Sequence, residues 1–215
     1  MKIWNYHIQI YQNLKFTQKN ESMAYYTNEE LKKLGLATIG DNVLISTKTS
    51  IYNPKKIRIG NNVRIDDFTI ISAGKHGITI GNNVHIACYV SLIGDEKITL
   101  SDFVGLSSKV TIYSSTDDYS GDFLTGPTIP SEYKNVISNP IFLGKHVVIG
   151  SGSIILPGVS IGEGCAVGAM SLVNKNFEKF KIIVGIPAKI MKERNKNILQ
   201  LENDYKKSYH LYERK

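Results

Sequence analysis

Aliphatic side chains recur at every sixth position over much of this chain. The clearest run spans residues 149–173, "IGSGSIILPGVSIGEGCAVGAMSLV", with an aliphatic residue at positions 149, 155, 161, 167 and 173. A helix would repeat its apolar positions every 3.6 residues and a half-buried strand every two. The six-residue step therefore predicts a different architecture, built from short strands joined by regular turns.

Five earlier segments carry the same pattern, beginning at residues 39, 59, 80, 100 and 143. Each starts with an aliphatic residue, usually followed by a turn-forming residue, and has a small or β-branched residue four positions later. Three such units close a triangular coil of roughly 18 residues. Gly and Asn cluster between the apolar positions, where the backbone must bend and a positive φ is tolerated.

Two ordinary alternatives fit the pattern less well. Antiparallel hairpins would alternate with a period of two, and βαβ units would need helical stretches that residues 39–112 lack. The sequence therefore predicts a parallel β-helix in which the first residue of each hexad points inward.

The hexads resemble the [LIV]-G-x-x-V/S-x repeats of the hexapeptide-repeat acyltransferase family. "IGEGCAVGAMSLVNK" and "IIVGIPAKIMKER" are similar to its closing coils and its C-terminal signature. The resemblance covers about residues 25–194 and implies an all-β fold with a left-handed parallel β-helix over 39–186, an exception to the right-handed crossover rule. It also implies acetyl transfer from acetyl-CoA and a homotrimer whose active sites lie in the grooves between subunits.

Both flanks of the repeat are predicted to be helical. "YYTNEELKKLGLATIG" predicts a helix at about residues 28–35 within an N-terminal segment 1–38, with Thr27 and Glu30 as a capping box and Gly35 at its end. Residues 1–23 show no periodicity. Residues 187–215 are predicted to form a helical tail that covers an open end of the prism.

Residues 113–142, "YSSTDDYSGDFLTGPTIPSEYKNVISNPIF", are more than one coil needs. They predict a projecting loop, and long loops on rigid scaffolds often carry binding and catalytic groups. Acyl transfer needs a base for the acceptor's proton, most often His. The resemblance implies a His in this loop, but Asp118 stands at about that position.

His85 is the candidate base. It follows the inward Val84, points outward from a flat side, and lies one coil before Gly105. We predict that Asp117 or Asp118 orients the imidazole through its other ring nitrogen. Two alternatives remain open: His85 is only a surface residue, or Asp118 acts alone or binds an acceptor amine while the departing CoA thiolate takes the proton.

The resemblance also implies a cofactor groove along the last coils. Small residues let the pantetheine arm approach the wall, and basic residues bind the phosphates. The predicted wall residues are Gly150, Ser151, Gly168, Ala169 and Ser171. The predicted phosphate ligands are Lys175, Lys189, Lys192 and Arg194.

Composition excludes several classes of function. The net charge of +7 is spread along the chain without a basic, aromatic-rich helix, so nucleic-acid binding is not predicted. No apolar run reaches the length of a membrane span and no signal sequence is recognisable, which predicts a cytoplasmic protein. Cys88 and Cys165 have no disulfide or metal spacing. No metal is predicted, because His76, His85 and His146 do not match the spacing of the zinc hydratases with this fold.

These observations predict an acetyl-CoA-dependent acetyltransferase that acts on a hydroxyl or amino group of a sugar, in a surface polysaccharide or its nucleotide-linked precursor. The alternative is a scaffold or CoA-binding protein without transferase activity. The alternative rests on the missing loop His and on Val148, where many sugar acetyltransferases carry Trp.

Overall fold

The computed structural model describes residues 24–213, with side chains described as far as residue 208. Residues 1–23, to which the sequence pattern assigns no element, lie outside this range. The described chain is a prism of short parallel strands, with one helix before it and one after it. Within this range, no helix combines the length and apolar character needed to cross a membrane.

Twenty-two strands form the prism and its attachments. In chain order they are β1 Thr38–Ile39, β2 Val43–Ile45, β3 Ser50–Tyr52, β4 Ile57–Ile59, β5 Val63–Ile65, β6 Ile70–Ala73, β7 Ile78–Ile80, β8 His85–Ile86, β9 Ser91–Gly94, β10 Ile98–Leu100, β11 Gly105–Leu106, β12 Thr111–Tyr113, β13 Ser115–Thr116, β14 Ile137–Ser138, β15 Ile141–Leu143, β16 Val148–Ile149, β17 Ile154–Ile155, β18 Ser160–Ile161, β19 Ala166–Val167, β20 Leu172–Val173, β21 Lys181–Gly185 and β22 Ala188–Glu193. The helices are α1 Asn28–Lys33 and α2 Ile198–Glu213, and single 3-10 turns lie at Pro54–Lys56 and Ser131–Tyr133.

Three sheets form the three faces of the prism. Within each sheet, a strand pairs with the strand at the equivalent position of the next coil. The strand orders are β1-β4-β7-β10-β15-β18, β2-β5-β8-β11-β16-β19-β21-β22 and β3-β6-β9-β12-β17-β20. All pairings in these faces are parallel except the last one, β21 with β22. The predicted parallel β-helix is confirmed.

The first residue of each hexad forms the core. One column on the first face consists of Ile59, Ile80, Leu100, Leu143 and Ile161, which stack in register from coil to coil. All five are at most 3% exposed. Complete burial of such a side chain contributes about 1.5 to 3 kcal/mol, so the six-residue step is the main source of stability.

The corners confirm the prediction for Asn and extend it. Asn42, Asn62 and Asn83 have φ of 54°, 55° and 56°, a region that Asn tolerates better than most residues. Phe68 and Tyr89 also have positive φ at corners of successive coils. Their rings stack with centroids 5.0 Å apart, a contact that offsets part of the backbone strain.

The N-terminal helix is confirmed, with an earlier end than predicted. Thr27 accepts a hydrogen bond from the backbone N–H of Glu30, whose carboxylate accepts one from the backbone N–H of Thr27, completing the capping box. α1 ends at Lys33, and Gly35 has a φ of +72°.

The C-terminal tail differs from the prediction. Residues 188–193 form β22, which pairs antiparallel with β21, and helix α2 begins only at Ile198. The physical reason is the open edge of the second face after β21: backbone N–H and C=O groups left there gain partners from β22, which outweighs the helical propensity of the segment.

The predicted loop is present, but it is slightly shorter than 113–142, because Tyr113 ends β12 and residues 141–142 begin β15. Strands β13 and β14 pair antiparallel at its base, and Leu124 bridges Lys134 further out. Its middle is largely exposed, with Tyr119 90% exposed.

Candidate functional site

The second face carries a groove beside His85. In register across β8, β11 and β16, His85 lies next to Gly105, and Gly105 lies next to Val148. These outward positions are the ones predicted from the hexads. A cavity of about 320 Å³ opens over them. Its lining residues are His85, Ala87, Gly105, Leu106, Ser107, Ser108, Val148 and Ser151.

His85 is paired with a carboxylate that the sequence analysis did not identify. Its Nε2 lies 2.8 Å from Oδ2 of Asp66, one coil away. The other oxygen of Asp66 accepts hydrogen bonds from Nε of Arg64 at 2.7 Å and from the hydroxyl of Tyr25 at 3.0 Å. The Asp66 side chain is 18% exposed, whereas that of His85 is 53% exposed. The histidine therefore faces solvent while its partner is enclosed.

Asp66 is held in its charged form. Burial alone would raise the pKa of its carboxyl, but the hydrogen bonds from His85, Arg64 and Tyr25 outweigh burial and lower the pKa. A carboxylate can only accept hydrogen bonds, so Nε2 of His85 carries a proton toward it. In the neutral imidazole, Nδ1 then carries the free lone pair and is the atom that can accept a proton.

The N-terminal segment completes this cluster. Tyr25 bridges Ser46 through backbone hydrogen bonding, and the backbone N–H of Tyr26 donates to the carbonyl of Ile45 at 2.9 Å. The Arg64 guanidinium lies 5.7 Å from the centre of the Tyr25 ring. Burial, followed by the hydrogen bond to Asp66, raises the pKa of Tyr25, so its hydroxyl stays a donor at neutral pH.

The structure does not bring Asp117 or Asp118 to His85 within the described chain. The Asp118 carboxylate instead accepts a hydrogen bond from the backbone N–H of Ser120 at 2.8 Å and one from Asn135 at 3.0 Å. Hydrogen bonds from Ser120 and Asn135 lower its pKa. The carboxylate that orients His85 is therefore Asp66, which lies one coil away. The Asp118 carboxylate is hydrogen-bonded to residues of its own loop. That Asp117 and Asp118 belong to the site stays a prediction.

The predicted cofactor wall separates into two groups. Gly150, Gly168 and Ala169 stack on neighbouring coils, and a Cβ added to Gly150 would lie 2.4 Å from the backbone N of Ala169. Ser151 lines the cavity. Ser171 differs, because it is only 2% exposed and its hydroxyl donates to the carbonyl of Gly168 and accepts from the N–H of Gly185. Its side chain faces the prism interior.

The predicted phosphate ligands also separate. Lys175, Lys189 and Lys192 are exposed near the end of the prism. Arg194 is half-buried, and its Nη1 donates to the carbonyls of His146, Gly164 and Cys165 at 3.0 to 3.1 Å. The guanidinium therefore ties the end of β22 to two coils.

The other histidines considered in the sequence lie away from this cavity. Nδ1 of His76 is 3.0 Å from Glu96. His146 stacks on Phe103 and its Nε2 is 2.7 Å from Glu202 of α2. Within residues 24–213, no group of three or more His, Cys, Asp or Glu side chains is arranged to hold a metal ion.

Comparison with known proteins gives consistent matches. The family model described as bacterial transferase hexapeptide (six repeats) matches residues 140–175. The dTDP-4-amino-4,6-dideoxy-D-glucose acyltransferase of Escherichia coli is 51% identical over 186 residues, which are 86% of this chain and 97% of that protein. A galactoside O-acetyltransferase of Escherichia coli strain K12 is 27% identical, with 70% of each chain covered.

One solved structure matches nearly the whole described prism. It is AntD, an N-acyltransferase from Bacillus cereus, in complex with dTDP and 3-hydroxybutyryl-CoA. It superposes with a TM-score of 0.84 and 51% identity, covering 87% of this chain and 98% of AntD. This similarity confirms the predicted fold class, a left-handed parallel β-helix.

Proposed function

The chain belongs to the hexapeptide-repeat acyltransferases, and on this premise we propose that it transfers an acyl group from a CoA thioester to the amino group of a nucleotide-linked amino sugar. Identity of 51% over 97% of a relative named for a dTDP-amino sugar supports the acceptor class. The observation in this chain that carries the proposal is the cavity beside the His85–Asp66 pair. The predictions of an enzyme, of acyl transfer and of a CoA thioester as co-substrate are confirmed.

The thioester donor is proposed to lie along the closing coils. The predicted wall residues Gly150, Ser151, Gly168 and Ala169 lie on two neighbouring coils, and the short, exposed side chains of Ser151 and Ala169 leave room for an extended pantetheine arm. The exposed Lys175, Lys189 and Lys192 near the same end supply positive charge for the phosphates. The thioester then reaches the cavity from the side of Ser151.

His85 is proposed as the general base. As the amine nitrogen bonds to the thioester carbonyl carbon, Nδ1 of His85 accepts the proton that the nitrogen loses. When the C–S bond breaks, the protonated imidazole returns that proton to the departing sulfur, so CoA leaves as the thiol. The Asp66 carboxylate, 2.8 Å away, stabilises the transient positive charge and fixes the ring orientation.

Asp117 or Asp118 is proposed to contact the acceptor amine. Crystal structures of AntD include variants in which a serine or an aspartate is replaced, and these two positions are ten residues apart. In this chain Ser107 and Asp117 have that separation, and so do Ser108 and Asp118. Both serines line the cavity, and the matching separation supports a contact between one of the two aspartates and an acceptor bound there.

Three further features belong to the proposal. We propose a homotrimer, because the cavity is open on one side and a neighbouring prism in a closed three-fold ring would cover it.

We also propose a cytoplasmic enzyme, since Cys88 and Cys165 are free thiols, which suits a reducing compartment. The surface-polysaccharide context predicted from the sequence remains part of the proposal, with the nucleotide-linked precursor as its substrate.

The test is a turnover assay with dTDP-4-amino-4,6-dideoxyglucose and either acetyl-CoA or 3-hydroxybutyryl-CoA. We expect thiol release that depends on the sugar, and a product whose mass corresponds to the N-acyl sugar. The matched control is the dTDP-sugar with a hydroxyl in place of the amine, which should give no release above donor hydrolysis. CoA binding without turnover on the amino sugar would favour the non-catalytic alternative and overturn the proposal.

A further inference from the structure

Gly105 is a glycine that the fold itself does not require. Most glycines of the prism lie at corners where the next coil leaves no room: a Cβ at Gly60, Gly81 or Gly150 would lie within 2.7 Å of the neighbouring coil. A Cβ at Gly105 would meet only Cγ2 of Val148, at an ordinary 3.7 Å. Its φ is also outside the left-handed region. Among the described glycines with an ordinary φ, Gly105 alone has this freedom.

Glycine at such a position lowers the stability of the strand, and no steric or backbone requirement of the fold explains it. In a strand interior it is less stable than alanine by roughly 0.5 to 1 kcal/mol, and it often marks a place where a ligand approaches the backbone closely. Gly105 lies between His85 and Val148 in register, in the middle of the cavity. The missing side chain therefore opens the space between the imidazole and the valine.

The chemistry of the lining indicates which part of the substrates enters this space. Apart from His85, the lining has no ionisable side chain, so it lacks the cations that a nucleotide diphosphate would need. Val148 and Ala87 supply apolar surface, and Ser107 supplies a hydroxyl. This combination suits a short aliphatic chain that carries one polar group.

We propose that the space over Gly105 receives the acyl chain of the donor, and that Gly105 sets the acyl length so that chains longer than acetyl, such as 3-hydroxybutyryl, are accepted. This inference rests on the proposed function. The thioester enters from the side of Ser151, the chain lies over Gly105 against Val148, and the carbonyl carbon stays beside His85. A side chain at position 105 would occupy the place of the third and fourth acyl carbons.

The test compares acetyl-CoA with 3-hydroxybutyryl-CoA as donors for the wild type, Gly105→Ala and Gly105→Val. We expect the ratio of kcat/KM for 3-hydroxybutyryl-CoA over acetyl-CoA to fall about tenfold or more in Gly105→Val, with a smaller fall in Gly105→Ala. Val148→Ala should raise the ratio, because it widens the same space. Thr79→Ile adds bulk to an outward strand position on another face and should leave the ratio unchanged.

Two results would overturn the inference. An equal fall for both donors with a raised KM for the amino sugar would place the acceptor over Gly105. A changed molar mass of Gly105→Val in light scattering would assign the space to a neighbouring subunit.

Calorimetry separates this inference from the proposed function. If the wild type transfers neither acyl group, the proposed function fails, but binding of the two thioesters still tests the space. We expect the wild type to bind 3-hydroxybutyryl-CoA more tightly than acetyl-CoA, and Gly105→Val to lose that preference while binding free CoA as before. Equal wild-type affinity for both thioesters would contradict the role of Gly105.

Discussion

Oδ2 of Asp66 lies 2.8 Å from Nε2 of His85, although the two residues are 19 positions apart in the chain. Successive coils of the prism bring them together, and Arg64 and Tyr25 hold the second carboxylate oxygen. A half-exposed imidazole that lines the cavity is thereby anchored at Nε2.

Replacement of His85 tests the proposed base. His85→Ala should lower kcat by about 100-fold or more, because proton transfer by a positioned side chain contributes on that order. Steady-state kinetics with the amino sugar measures this, and added imidazole should restore part of the rate. His76→Ala is the matched control, since His76 pairs with Glu96 away from the cavity. Activity of His85→Ala within about threefold of the wild type would remove this histidine from the mechanism.

Asp66 is predicted to act through His85 and not on the substrate. Asp66→Asn should lower kcat by about tenfold or more while the KM for each substrate changes little, because ring orientation and charge stabilisation are lost but binding is not. Tyr25→Phe should also lower kcat, but by a smaller factor. Asp67→Asn is the control, as Asp67 bonds to Ser46 and Lys48 instead. A loss of Asp66→Asn activity that appears only in KM would contradict this role.

The structure separates Arg194 from the lysines that we propose as phosphate ligands. Arg194→Ala should lower the free energy of unfolding by about 1 to 3 kcal/mol, because three backbone carbonyls lose their charged donor. Lys189→Gln with Lys192→Gln should leave stability nearly unchanged but weaken CoA binding and reduce its salt dependence. Thermal unfolding and calorimetry at two salt concentrations measure both. Lys179→Gln, which affects a surface pair with Glu163, is the control. Unchanged CoA affinity in the double lysine variant would place the phosphates elsewhere.

Helix α2 is attached to the prism by Glu202. Its nearly buried carboxylate meets Lys145, Lys206 and His146. Burial would raise its pKa, but these hydrogen bonds outweigh burial and lower it to about 2 from the ordinary 4.5. Because the folded-state value is the lower one, this contribution to stability is present above about pH 4.5 and is lost as the pH falls towards 2.

Glu202→Gln should therefore lower Tm at pH 7 by roughly 5 to 10 °C, since the nearly buried carboxylate would no longer pair with the ammonium groups of Lys145 and Lys206. The difference from the wild type should shrink steadily below pH 4.5. Thermal unfolding as a function of pH measures it, with the exposed Glu132→Gln as control. A difference that does not depend on pH would show that the charge of Glu202 is not what holds α2.

The prism could be predicted from the sequence because each hexad repeats the same pattern of apolar and turn-forming positions. Burial of the first aliphatic residue and bending at the next positions are local requirements, and the column Ile59, Ile80 and Leu100 satisfies them in consecutive coils. The outward position of His85 followed from the same count. The partner of His85 did not follow from it, because Asp66 lies on the neighbouring coil and approaches the imidazole diagonally. Stacking the segments that begin at residues 59 and 80 would have placed Asp66 beside the column of Arg64 and His85.

Two other differences arise from contacts that a local pattern does not contain. The strand Ala188–Glu193 forms because the edge left by β21 needs a partner, which depends on where the prism stops. Ser171 occupies the inward position of its hexad, and its hydroxyl is used inside the last coil. Resemblance to a family predicts which coils bind the cofactor, but the inward or outward direction of each side chain decides whether that side chain is available to a ligand.

The central claim is that acyl transfer to an amino sugar takes place in the cavity beside His85. A crystal structure with CoA and dTDP-4-amino-4,6-dideoxyglucose measures it most directly. We predict the sugar nitrogen within about 3.2 Å of Nδ1 of His85, directly or through one water, and the CoA sulfur over the coils of Gly150 and Ser151. A sugar nitrogen on another face of the prism, or a sulfur remote from this cavity, would contradict the account.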